Sequence, residues 1–262
     1  MENDQKKAIL GMGTGGGAPM YKLNRVQMSG DDGTFKLSDL LKDREKGTKP
    51  DIADMGKELD GVILKMRWAL SKYDEPNSMF YSSTEYDDKW KDQVTIYPSK
   101  EKGSVENMKA KYALSTQRIV YMYVPSWKQI VRLIVKASAL SGDKNPNGEK
   151  GLFEYIDEYM QTETYPCDYI TSCVGVFRSG KNQDGTPNKR KDHYAMTFSQ
   201  GRILTETEQA KVQQMMIEVN EKTGVPKVES DLDQTERTIG EAIAPEEDNS
   251  PNPDDIASSI PF

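Results

Sequence analysis

Cations and flat rings recur at every second position in several stretches of this chain. Lys65 and Arg67 alternate with Met66 and Trp68, Arg132 and Lys136 share a face opposite Val131, Leu133 and Val135, and Tyr121 and Tyr123 are followed by Trp127. A period of two sends alternate side chains to opposite faces of a β-strand. A face that combines ammonium or guanidinium groups with aromatic rings can neutralise phosphates and stack bases, which is what holding single-stranded nucleic acid requires. Tyr81 and Tyr86, in a run with Phe80 and Trp90, add further rings. Any one tyrosine taken alone is a packing residue; their number beside cations points to a surface. Tyr121 and Tyr123 lie with Ile119, and Val120, Met122 and Val124 make the better core face. Both tyrosines are therefore expected to be free to stack, and Trp68, on the face of Val62, Leu64 and Met66, is expected in the core.

A second basic group falls between Phe177 and Tyr194. Arg178, Lys181, Lys189, Arg190 and Lys191 outnumber Asp184 and Asp192 there, and Asp184-Gly185 is a hairpin turn signal. A long basic hairpin can fold over a nucleic-acid strand; the ordinary alternative is a solvated loop.

Catalytic chemistry finds little to work with. Glu85, Asp87 and Asp88 read as a solvated acidic loop, and Asp87-Asp88-Lys89 is the nearest approach to a nuclease metal motif. His193 is the sole histidine, beside a strand, and reads as a hydrogen-bonded structural residue. Cys167 and Cys173 are expected to stay reduced. The glycine run 11–17 has no following Gly-Lys-Ser/Thr and no preceding strand, so it lacks the mechanism of a phosphate loop. The expectation is a non-enzyme with no catalytic residue, no cofactor and no metal.

The elements that must position these residues read as short strands with three helices. Strands are expected at 62–68, 79–86, 93–97, 118–124, 130–139, 165–177 and 194–199, and residues 35–41 as a helical turn. Helices are expected at 104–112, 149–161 and 205–223, with Ser104 and Thr205 as caps. The pattern is mainly β (α+β), compatible with a small barrel or a sandwich. Residues 1–19 form a Gly-rich leader, 20–225 one body and 226–262 a tail. No apolar run approaches 18 residues and no cationic leader precedes an apolar segment, so a cytosolic protein with no membrane partner is expected.

Charge separates tail from body. Residues 226–262 hold ten acidic residues against two basic ones, a net of −8 where the whole chain is −7, which leaves +1 for residues 1–225. Such a composition is expected to be disordered, yet it ends in apolar Ile260-Pro261-Phe262 with Asp254 and Asp255 upstream. An acidic tail with a terminal Ile-Pro-Phe resembles the tip of bacterial and phage single-stranded DNA-binding proteins. Here Ile256-Ala257-Ser258-Ser259 separates the aspartates from that terminus. The resemblance implies an OB-fold-like five-stranded barrel with extra strands and peripheral helices, which coats single-stranded DNA in replication, recombination and repair. It also implies recruitment of a polymerase, helicase, primase or nuclease through Asp254, Asp255, Ile260, Pro261 and Phe262, in a bacterial or phage-infected cell. Two other classes remain: an adaptor or DNA-mimicking inhibitor that uses the acidic tail, and a metal-dependent nuclease.

Overall fold

The run from Leu59 to Leu70 is apolar enough to be buried on both sides, and it lies within the strand that organises the molecule, β4 (Glu58–Asp74). The computed structural model describes residues 23–40, 51–87, 91–140, 148–162, 164–180, 186–189 and 192–223. One edge of β4 pairs antiparallel with β8 (Ser115–Val124) over most of its length. Its other edge pairs with β10 (Tyr169–Arg178) at Glu58–Gly61 and with β5 (Met79–Ser83) at Ser71–Asp74. From Gly61 to Arg67 every residue is buried, so alternation here does not separate core from solvent. A register shift between Ile63 and Lys65 marks a bulge, which bends the strand. Gly61 permits the close approach of β8: a Cβ there would stand 2.5 Å from Met122 Cγ and 2.8 Å from the Tyr123 carbonyl oxygen.

The sheet extends outward from this pair. Beyond β8 lies β9 (Gln129–Lys136), antiparallel, then β1 (Arg25–Met28) parallel to β9, then β2 (Phe35–Ser38) and β3 (Ile52–Asp54). Beyond β5 lie β6 (Val94–Tyr97) and β7 (Glu101–Gly103). Strand β11 (His193–Ile203) pairs with β10. Among the described residues the pairing path runs β3-β2-β1-β9-β8-β4-β5-β6-β7, with β10 and β11 branching from β4, and it stays open at both ends. The molecule is mainly β with helices on its faces.

Two helices form where their caps predict. In α1 (Val105–Tyr112) the Ser104 hydroxyl accepts from the Asn107 amide, and Thr205 and Glu208 close a capping box on α3 (Glu206–Lys222). Helix α2 (Leu152–Gln161) buries Leu152, Tyr155, Ile156 and Tyr159 against the main core. A second, smaller core of Leu70, Tyr86, Val94, Ile96, Met108 and Leu114 lies under α1. Cys167 and Cys173 are buried, and burial pushes the Cys173 thiol well above its ordinary range. No helix among the described residues is long and apolar enough to cross a membrane.

Five expectations are corrected. The strand expected over 79–86 stops at Ser83, and the helix expected from 149 begins at Leu152. Phe35–Ser38 is not a helical turn but β2, because it pairs with β1 on one side and β3 on the other. The strand expected over 130–139 stops at Lys136, where Ala137–Ala139 turn into a 3-10 helix, and the one expected from 165 begins at Tyr169 after a 3-10 turn at Pro166–Asp168.

Candidate nucleic-acid interface

The cationic face expected on β4 is buried. Lys65 and Arg67 are each 2% exposed. Lys65 Nζ donates to Thr223 Oγ1 at 2.7 Å and Asn220 Oδ1 at 3.1 Å, and Arg67 donates to Asp87 Oδ2 at 3.2 Å and to the Thr223 carbonyl at 3.3 Å. Register places Tyr121 opposite Lys65, Arg132 opposite Tyr121, and Arg25 opposite Arg132, one row across four strands. Glu85 ties that row together: its carboxylate accepts from the Tyr121 hydroxyl at 2.6 Å and pairs with Arg132. Buried charges persist only when paired and hydrogen-bonded, and cations at a helix C-terminus are favoured by its exposed carbonyls. This layer therefore fastens α3 to the sheet.

The layer also shifts proton affinities. Burial, and after it the neighbouring Arg67 charge, lower the Lys65 ammonium to about 7. Burial first, then the Glu85 carboxylate, push the Tyr121 phenol well above its usual range.

Several expected stacking residues are thus enclosed. Tyr121 is fully buried rather than free to stack, and Tyr123 is half-buried against the core with Trp127. Tyr86 is buried under α1, with its backbone paired to Trp68. Tyr81, half-buried, packs on Tyr112 at 5.2 Å between ring centroids. Trp68 meets its expectation in part: it packs half-buried against both cores, carries the Arg118 guanidinium 4.4 Å from its ring centre, and borders a pocket of about 460 Å³ with Lys91 and Thr116. Glu85 and Asp87, expected in a solvated loop, are the carboxylates of the buried layer.

Strands β10 and β11 form a hairpin whose last pairs are Phe177 with Tyr194 and Arg178 with His193. Phe177 is 51% exposed and meets Tyr194 edge-on at 5.5 Å, while Lys57 Nζ lies 5.3 Å from the Tyr194 ring centre. Arg178 is drawn back to Glu149 at 2.5 Å. Lys189 is exposed, and so is Lys136, which lines a pocket of about 190 Å³ with His193 and Tyr194. Lys181, Arg190 and Lys191 lie outside the described residues, as do the leader 1–19, the tail and its tip, Asp254, Asp255, Ile260, Pro261 and Phe262.

Three exposed rings among the described residues gather on one face, Phe80 from the aromatic run and Tyr73 and Tyr97, which were not expected to bind. Tyr73 on β4 stands directly opposite Phe80 on β5, and Tyr97 on β6 stands opposite Ser82, two positions from Phe80. Cross-strand partners point to one side of a sheet, so Tyr73, Phe80 and Tyr97 share a face. They are 58%, 52% and 46% exposed. The opposite side of the same strands is covered by α1, against which Tyr81 and Ile96 pack. Lys102, exposed on β7, pairs with Thr95 and so lies on the aromatic side. The sequence signal was the turn Glu75-Pro76-Asn77, which sets an aromatic residue on each arm of a hairpin. Among the described residues no group of three His, Cys, Asp or Glu side chains converges as a metal site would need.

Comparison with known proteins adds no relative: no family model, no curated protein and no solved structure matches the chain.

Proposed function

We propose that this protein binds single-stranded DNA with little sequence preference, coating strands exposed in replication, recombination and repair without acting as an enzyme. The observation that carries this reading is the exposed triad Tyr73, Phe80 and Tyr97 on one open sheet face. Bare rings side by side lose their hydration when bases stack on them, and every base offers a π-face, so such a platform tolerates any sequence. Lys102 on the same face supplies charge for phosphate. The OB-like barrel belongs to the same proposal. What supports a partly open one is that β4 pairs with β8 along one edge and, through a bulge, meets β5 and β10 at the two ends of the other, which curves the sheet. The acidic tail, at −8 beside a body of +1, then serves replication and recombination enzymes through its Ile260-Pro261-Phe262 end.

Fluorescence anisotropy with labelled single-stranded oligonucleotides tests the reading. Phe80→Ala is expected to weaken binding by on the order of 10- to 100-fold, the loss of one stacked base, with the melting temperature unchanged. A folded Phe80→Ala protein that binds as tightly as the parent overturns it. A parent that ignores oligonucleotide at low salt leaves the adaptor reading in its place.

A further inference from the structure

We infer that the aromatic triad and the loop end of the β10–β11 hairpin, at Phe177 and Tyr194, are two ends of one track, along which a single extended nucleic-acid strand crosses the sheet. This rests on the reading just given and adds the path. Tyr97, Ser82, Ser71 and Ser115 are successive cross-strand partners, a row over β6, β5, β4 and β8. The next row passes from Ala69 to Gln117 and then to Lys136 on β9. The Ser71 hydroxyl donates to Gln117 Oε1 at 2.9 Å, which joins the two rows. Lys136 in turn lines one pocket with His193 and Tyr194, and Tyr194 meets the exposed Phe177 ring.

The chemistry of this strip matches one occupant. Its middle is hydroxyls and an amide, groups that hydrogen-bond phosphate and sugar oxygens; its ends are exposed rings; and its exposed cations are Lys102 and Lys136. Among the described strand residues of these two rows, Tyr97, Ser82, Ser71, Ser115, Ala69, Gln117 and Lys136, there is no carboxylate. Glu85 and Asp87, farther down, are buried against Arg132 and Arg67. From β6 to β9 is four strand spacings, roughly 19 Å, too far for one or two stacked bases to bridge and well suited to a polyanion lying across the strands.

Two linked contacts bind a long ligand more tightly than either alone, because the second forms at high effective concentration. Anisotropy titrations of the full chain with oligonucleotides from about 4 to about 16 nucleotides, the range of one such site, should show a second rise in affinity at the length that reaches Lys136. Lys136→Glu should weaken the long oligonucleotides at least several-fold, lower their salt slope by about 1, and leave the shortest unaffected, while Phe80→Ala weakens all of them. Binding that saturates at the shortest length and ignores Lys136→Glu overturns the track and leaves the aromatic platform standing. Short-oligonucleotide binding that survives Phe80→Ala overturns the platform, and the track with it.

Discussion

The guanidinium of Arg67 donates to the main-chain carbonyl of Thr223 at 3.3 Å while its other nitrogen holds Asp87 at 3.2 Å. One buried side chain thus joins the end of α3, the middle of β4 and the segment that follows β5. The charge layer is a structural fastening, and its removal is expected to register in stability before binding.

Arg67→Met leaves the Asp87 carboxylate buried without its guanidinium and α3 without its anchor. The expected loss is about 3–5 kcal/mol, the usual cost of removing one member of a buried pair, read as a lower urea midpoint. Substituting both residues, Arg67→Met with Asp87→Leu, should recover much of it. A single variant as stable as the parent would show that the pair contributes nothing net.

Lys65 gives the protein a pH dependence of definite sign. In the unfolded chain it stays protonated to its ordinary value of about 10.5, and in the fold only to about 7. Between those values the unfolded state binds the additional proton, so stability rises with pH across that window; below it both states carry the charge and the penalty is constant. Urea midpoints at about pH 7 and about pH 9 should therefore increase more for the parent than for Lys65→Met. Equal increases would remove Lys65 from the account.

Tyr97 and Tyr121 should separate binding from folding. Tyr97→Ala removes an exposed ring and is expected to lower oligonucleotide affinity at unchanged melting temperature. Tyr121→Ala empties a buried site beside Glu85 and is expected to cost about 3–5 kcal/mol of stability. The reverse pattern would return the binding face to the strand positions that the sequence first suggests.

Helices were legible because their signals are local. Ser104 and Thr205 cap helices that begin one residue later, and of the helically spaced Leu152, Ile156 and Met160 the first two fall on the buried side of α2 while Met160 is exposed. Strands β1, β2 and β3 were missed because three or four residues carry no period, and their partners alone make them strands. The site failed for a related reason. Lys65, Arg67 and Tyr121 alternate as an exposed binding face would, and what encloses them comes from Glu85 and Asp87 across the β5 hairpin and from Asn220 and Thr223 more than 150 residues on. Tyr73 and Phe80 are exposed because α1 covers the other side of their hairpin, a tertiary fact without a local signature.

The double partnership of β4 also governs when this chain can fold. Gly61 pairs with Thr171, and Lys65 finds Thr223, so the central strand has no complete set of neighbours until nearly the whole body has been synthesised. Long-range pairing of this kind is slow, because the intervening loop must close before any contact rewards it. On the ribosome β4 can align early with β8, but its buried lysine and arginine must wait for α3. A nascent chain stopped short of that helix presents an unfinished, charge-lined strand, which is the state that chaperones and proteases would meet.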